Sequence, residues 1–159
     1  MARQTEVVLL LLLALAAAAF DAKEGRVNGK CPSGWVTYGG RCYLYQANRM
    51  DWASAEKRCL DIGAHLVSIH SEYEYQLVKA VIRAFDPREN PTWTGLTGCQ
   101  KKFNWFWSDG SRLTFTMWNP DEPNFQDEEC CVHVNWASSK NWNDIPCDLS
   151  YPFVCARSF

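Results

Sequence analysis

The feature that most constrains this chain is its cysteine set: Cys31, Cys42, Cys59, Cys99, Cys130, Cys131, Cys147 and Cys155, all downstream of an apolar N-terminal run. That run follows Arg3 and extends from Val7 to Phe20, about 14 residues against the ~20 needed to cross a bilayer. It ends among small alanines and is followed at once by Asp21, Lys23 and Glu24. A charged start, a short apolar stretch and a small-residue end are the marks of a secretory signal. Residues 1–19 are therefore expected to be a signal peptide, 20–30 a short polar lead-in and 31–159 the domain. The expected product is secreted and extracellular, with no membrane span. Eight cysteines in an exported chain imply four disulfides, each contributing ~2–4 kcal/mol by restricting the unfolded chain. Zinc is disfavoured, because there is no C-x-x-C pair and His65, His70 and His133 are scattered.

The net charge of −2 and the absence of a basic tract argue against nucleic acid as a partner. No Pro-rich, Ser-rich or repeated stretch divides the chain, so one domain is expected. Trp35-Val36-Thr37-Tyr38, Gly39-Gly40 and Cys42-Tyr43-Leu44-Tyr45 have the content of a hairpin, which a Cys31–Cys42 bridge would clamp. Asp51 caps a first helix with Trp52, Ala55, Cys59 and Ile62 on one face, ended by Gly63. Ser71 and Glu74 form a capping box for a second helix, whose stripe of Tyr75, Val78, Ile82 and Phe85 stops at Asp86-Pro87. His65 and His70 flank a strand-like Leu66–Ile69. Short segments follow, Thr92–Leu96, Phe103–Trp107 and Cys130–Trp136, broken by Gly, Pro, Asn and Asp. Two helices with strands around them indicate an α+β domain, its tryptophans mostly core.

Between the last segments lies Asn119-Pro120-Asp121-Glu122-Pro123-Asn124, with Asp127, Glu128 and Glu129 close behind. Such a loop repels itself without a cation, and a hard cation such as Ca2+ takes 6–8 oxygens from Asp, Glu, Asn and carbonyls. Asn143 and Asp144 precede Cys147, and a bridge from Cys147 to Cys130 or Cys131 would bring them towards this loop. Pro123 makes a cis bond accessible, which would turn Glu122 and Asn124 together. Taken alone, Glu-Pro-Asn is the composition of an ordinary solvated loop.

Glu122-Pro123-Asn124, Trp142-Asn143-Asp144, Trp93-Thr94-Gly95-Leu96 and the cysteine order together resemble a C-type lectin domain over Cys31 to Cys155. The resemblance implies two helices, small antiparallel sheets, a long calcium-binding loop region and the pairing Cys31–Cys42, Cys59–Cys155, Cys131–Cys147 and Cys99–Cys130. It also implies one calcium ion held by Glu122, Asn124, Glu129, Asn143 and Asp144. Either Glu128 or Glu129 stands two before the paired cysteine, according to whether that is Cys130 or Cys131, and Glu129 is taken with the Cys131–Cys147 pairing. In that family two neighbouring sugar hydroxyls complete the metal shell, and Glu122, Asn124, Glu129 and Asn143 exchange hydrogen bonds with them. Glu-Pro-Asn goes with mannose-type sugars, and Gln-Pro-Asp with galactose.

Two departures matter. Cys130 stands where many members carry an acid for a second calcium, and Lys101 and Lys102 occupy a stretch that is acidic elsewhere in the family. The vicinal Cys130-Cys131 with Cys99 is similar to fish secreted lectins and the related type II antifreeze proteins, which makes ice binding the second expectation. None of the three histidines sits in a catalytic motif, so no enzyme is expected. His65 and His70 read as structural, and His133 either meets a bound saccharide or is an ordinary strand-surface residue. The expected role is innate recognition of mannose-type glycans, with a homo-oligomer supplying avidity.

Overall fold

The computed structural model describes residues 30–159; the expected signal peptide and the rest of the expected lead-in lie outside the described residues. Among the described residues eight strands form: β1 (Val36–Tyr38), β2 (Arg41–Met50), β3 (His65–Leu66), β4 (Thr92–Thr97), β5 (Phe106–Trp107), β6 (Cys131–Trp136), β7 (Asn141–Ile145) and β8 (Tyr151–Ser158). They connect in the order β1-β2-β8-β4-β6-β7, with β3 on β8 and β5 on β4. The α+β class is as expected, but the strands join into one hydrogen-bonded network. β8 is its hub, antiparallel to β2 and parallel to β4 at Trp93 and Phe153.

Helix α1 (Trp52–Asp61) starts where the Asp51 carboxylate accepts the Ser54 N–H at 2.9 Å. It ends in a Schellman turn: Gly63, at φ +72°, sends its N–H to Leu60 O and the Ala64 N–H reaches Cys59 O. Helix α2 (Glu72–Phe85) is capped by Ser71, whose Oγ accepts the Glu74 N–H at 3.1 Å. The reciprocal bond of the expected box is displaced, because the Glu74 carboxylate takes the His70 N–H at 2.7 Å. Tyr75, Val78 and Ile82 face the core, whereas Phe85 at the helix end is exposed and stacks on Tyr45.

Two expected strands are shorter than read. Only His65–Leu66 pairs with β8; beyond it Val67 gives its N–H to Val154 O and accepts the Gly95 N–H, threading between β8 and β4. Phe103 has φ +62° and is exposed, so β5 begins at Phe106. Gly95 marks the tightest approach: a Cβ there would stand 2.7 Å from both Leu66 O and Ser108 Oγ.

Trp93, Trp107 and Trp142 are fully buried, Trp35, Trp52, Trp105 and Trp118 partly so, and Trp136 is exposed. The four bridges are Cys31–Cys42, Cys59–Cys155, Cys99–Cys130 and Cys131–Cys147, the pairing that the resemblance implies. The sulfurs of Cys99, Cys130, Cys131 and Cys147 crowd within 4.8 Å of one another. Being covalently paired, they offer no thiolate to a metal. Together these two bridges anchor β6, the loop after β4 and the loop after β7, which are the walls of the site described next.

Candidate functional site

The segment between β5 and β6 holds no strand or α-helix, only a 3-10 turn at Gln126–Glu128. Its shape is set by side chains and by β7. Asn119 gives its N–H to Trp142 O at 2.9 Å, Trp142 returns one to Met117 O, and the Asn119 side-chain amide donates to Trp136 O. Asp121, Phe125, Asp127 and Glu128 all have positive φ, in the left-handed region where side chains other than Gly and Asn are uncommon. Such backbone is costly unless the surroundings enforce it, and it concentrates at functional sites. None of these four positions is a glycine, so sequence carries no clear signal for the bend.

The Glu122-Pro123 bond is cis. Asp144, fully buried on β7, holds the following turn: one carboxylate oxygen accepts the Asn124 N–H at 3.1 Å and the other the Phe125 N–H at 2.8 Å. The Asn124 side-chain oxygen accepts the Gln126 N–H at 2.8 Å, leaving one lone pair on that oxygen. Glu129 takes a turn bond from its own N–H to Gln126 O. Glu128 lies exposed in the 3-10 turn, whereas the Glu129 carboxylate turns inward.

Glu122, Glu129 and Asp144 therefore converge, and the electrostatics register it. Burial first, then the hydrogen bond and charge of Asp144 and the charge of Glu129, push the Glu122 carboxyl up to about 7. Burial, Asp144 and Asp127 raise Glu129. Glu122 Oε2 and Glu129 Oε2 are buried without a hydrogen-bond donor. Leaving such oxygens unpaired costs free energy that a cation or a ligand hydroxyl would recover. Carboxylate and carboxamide oxygens in this number suit a hard cation such as calcium, and the two orphaned oxygens are what that fit predicts.

His133 corrects an expectation. Cross-strand alternation suggested a surface position, but β6 lies between β4 and β7 with residues Cys131 to Asn135 all buried. His133 has no exposed surface; burial holds its imidazole down at about 3, so the ring is neutral. Its Nε2 lies 3.2 Å from the Asn143 side-chain nitrogen. His65 and His70 are structural: His65 Nδ1 meets Glu56 at 2.6 Å, and His70 Nε2 meets Ser68 and Ser111. Lys102 lies over the rings of Phe103 and Phe125, in an open cleft that also includes Glu129 and Cys147.

Residues 48–157 match the family model of the lectin C-type domain. The chain is 41% identical over 150 residues to lactose-binding lectin l-2 of Anguilla japonica, covering 91% of this chain and 89% of that protein. It is 36% identical over 140 residues to the type-2 ice-structuring protein of Osmerus mordax, covering 88% of this chain and 78% of that protein. The solved structure of a Ca2+-dependent type II antifreeze protein in its Ca2+-free form superposes with a TM-score of 0.75 at 36% identity, over 80% of this chain and 100% of that one. The names of these relatives describe lactose binding, ice structuring and antifreeze action. Family model, fold and relatives agree, and the chain belongs to the C-type lectin domain family.

Proposed function

We propose that this chain is a secreted, calcium-dependent carbohydrate-binding lectin that takes mannose-type sugars. The observation that carries the reading is the pair of buried, donor-free oxygens, Glu122 Oε2 and Glu129 Oε2, set beside Asp144. Glu122, Asn124, Glu129, Asn143 and Asp144 would hold the ion, which when bound supplies a centre whose open positions vicinal sugar hydroxyls fill. Glu122 and Glu129 accept from those hydroxyls, while the amide hydrogens of Asn124 and Asn143 donate to them. An acceptor at 122 with a donor at 124 suits mannose, fucose or N-acetylglucosamine. The lactose-binding name of the eel relative points instead to galactose-type sugars, so the triplet and the relative lead to different outcomes of one experiment. We further propose recognition of microbial glycans by an oligomer, because one shallow site needs multivalency for avidity.

Ice binding is the second reading, favoured by the likeness to the ice-structuring protein of Osmerus mordax. The test is retention of the oxidised protein on mannose and lactose resins, with calcium and then with chelator. Mannose retention released by chelator supports the proposal. Retention on lactose alone overturns the sugar class, and no retention together with thermal hysteresis in cold solution replaces the lectin with an ice binder. Among the described residues no helix is long and apolar enough to cross a membrane.

A further inference from the structure

His133 on β6 stands directly across from Asn143 on β7 in the antiparallel register, and both side chains are buried. The 3.2 Å contact between His133 Nε2 and Asn143 Nδ2 requires a lone pair on Nε2, because the amide nitrogen only donates. In a neutral ring the proton is then on Nδ1. Nδ1 has no partner and is inaccessible to water. The ring is held by aromatic contacts instead, stacked on Trp136 at 5.3 Å and edge-on to Tyr151 at 4.9 Å.

Local hydrogen bonding gives no reason for this choice. Were the amide of Asn143 turned over and the ring proton on Nε2, the cross-strand bond would persist, now donated by the ring. The unsatisfied atom would then be an imidazole lone pair rather than a buried N–H, and buried orphan N–H groups are the rarer, costlier kind. What differs between the two arrangements is the other branch of the amide: Oδ1 in the observed one, Nδ2 in the reverse. Only an oxygen can serve a cation.

We propose that His133 is the positioning residue of the site: by taking one amide hydrogen of Asn143, it commits Oδ1 to the cation and leaves a single amide hydrogen for a sugar hydroxyl. The inference rests on the calcium reading above. It makes the imidazole tautomer and the orientation of Asn143 two sides of one state, which calcium favours.

The test compares wild type, His133→Phe and His133→Gln. Phenylalanine keeps a ring against Trp136 and Tyr151 but removes the acceptor; glutamine restores one. Calcium affinity by titration calorimetry, the midpoint of thermal unfolding in chelator, and 15N spectra of the wild-type ring are measured. Loss of an outer-shell partner typically weakens metal binding 10–100-fold. That loss is expected for His133→Phe, with an unfolding midpoint in chelator no lower than wild type and recovery to within about threefold in His133→Gln. The calcium-loaded ring is expected as the Nδ1–H tautomer. Undiminished affinity in His133→Phe, an equal loss in both variants, or an Nε2–H ring with calcium bound overturns the inference. The spectrum decides alone should neither variant fold. Wild type that takes up no calcium overturns the lectin reading along with this one, whereas wild-type uptake matched by His133→Phe overturns this one only.

Discussion

Replacing Glu122 by Gln should invert its own effect on stability depending on calcium. Without a cation, the Glu122 carboxyl is pushed from 4.5 up to about 7, by burial and then by Asp144 and Glu129. A carboxyl raised in the folded state contributes stability that is complete below its unfolded value. That contribution is lost as pH rises through the folded one. At 1.36 kcal/mol per pH unit the ceiling is about 3 kcal/mol; because the group is partly open to solvent, about 1 kcal/mol is the figure to expect. Glutamine supplies permanently the hydrogen bond to Asp144 that only the protonated acid can give. In chelator at pH 7.5, Glu122→Gln should therefore unfold ~3–5 °C above wild type, a gain that disappears at pH 4.5. With calcium the order reverses, since ligand at ~1,000 times its dissociation constant adds ~4 kcal/mol to wild type alone. Thermal unfolding of the oxidised protein by near-UV circular dichroism, at both pH values with and without calcium, measures all four numbers. A variant less stable than wild type in chelator, or stabilised by calcium as much as wild type, would refute the claim that these carboxylates repel one another and share an ion.

Four further outcomes follow from other parts of the molecule. Retention on mannose resin should need calcium, as set out above, and His133→Phe should weaken calcium binding without loosening the fold. Gly95→Ala should cost ~2–4 kcal/mol in guanidinium unfolding, because its Cβ would meet Leu66 O and Ser108 Oγ at 2.7 Å within a buried strand; a cost below ~0.5 kcal/mol would mean that β4 has room to shift. Converting Cys99 and Cys130 together to Ser should lower stability by ~3–4 kcal/mol on loop-closure grounds, for a separation of 31 residues. The remaining bridges should keep the fold, and an unchanged unfolding midpoint would show that this bridge serves the loop alone.

The legible parts of the fold were those with local causes. Asp51, Gly63 and Ser71 set helix ends through bonds within a few residues, and all three act in the structure. Segments whose pairing is tertiary were misread. Val67 to Ile69 has strand composition, yet Val67 divides its N–H and C=O between β8 and β4 and Ser68 O accepts from the Arg41 guanidinium, so the ladder ends at Leu66. His133 alternates with valines as a half-exposed strand would, but β6 is covered on both faces, which alternation alone does not reveal. The acidic loop is conspicuous because Asp121, Glu122, Asp127, Glu128 and Glu129 can be counted within nine residues. Its left-handed backbone at Asp121, Phe125, Asp127 and Glu128 is not, because none of those four positions is a glycine or asparagine.

The two readings of this site ask for the same buried chemistry and differ in what is left outside it. On the proposed calcium reading, the buried oxygens of Glu122 and Glu129 beside Asp144 serve one cation whether the ligand is a sugar or ice. The difference lies in the donors nearby. Asn124 spends its side-chain oxygen on the Gln126 N–H, and no bond from its amide nitrogen is present among the described residues. Asn143 spends one amide hydrogen on His133 and keeps the other. Unspent donors next to paired acceptors fit a ligand with vicinal hydroxyls, each of which gives one hydrogen bond and takes another. Water in an ice lattice makes the same kinds of bond but has no need of an alternation pinned to two neighbouring oxygens. Mutating Asn124 or Asn143 to Asp therefore separates the readings: it retains oxygen for the cation, removes the donor, and should abolish sugar retention while leaving any thermal hysteresis in place.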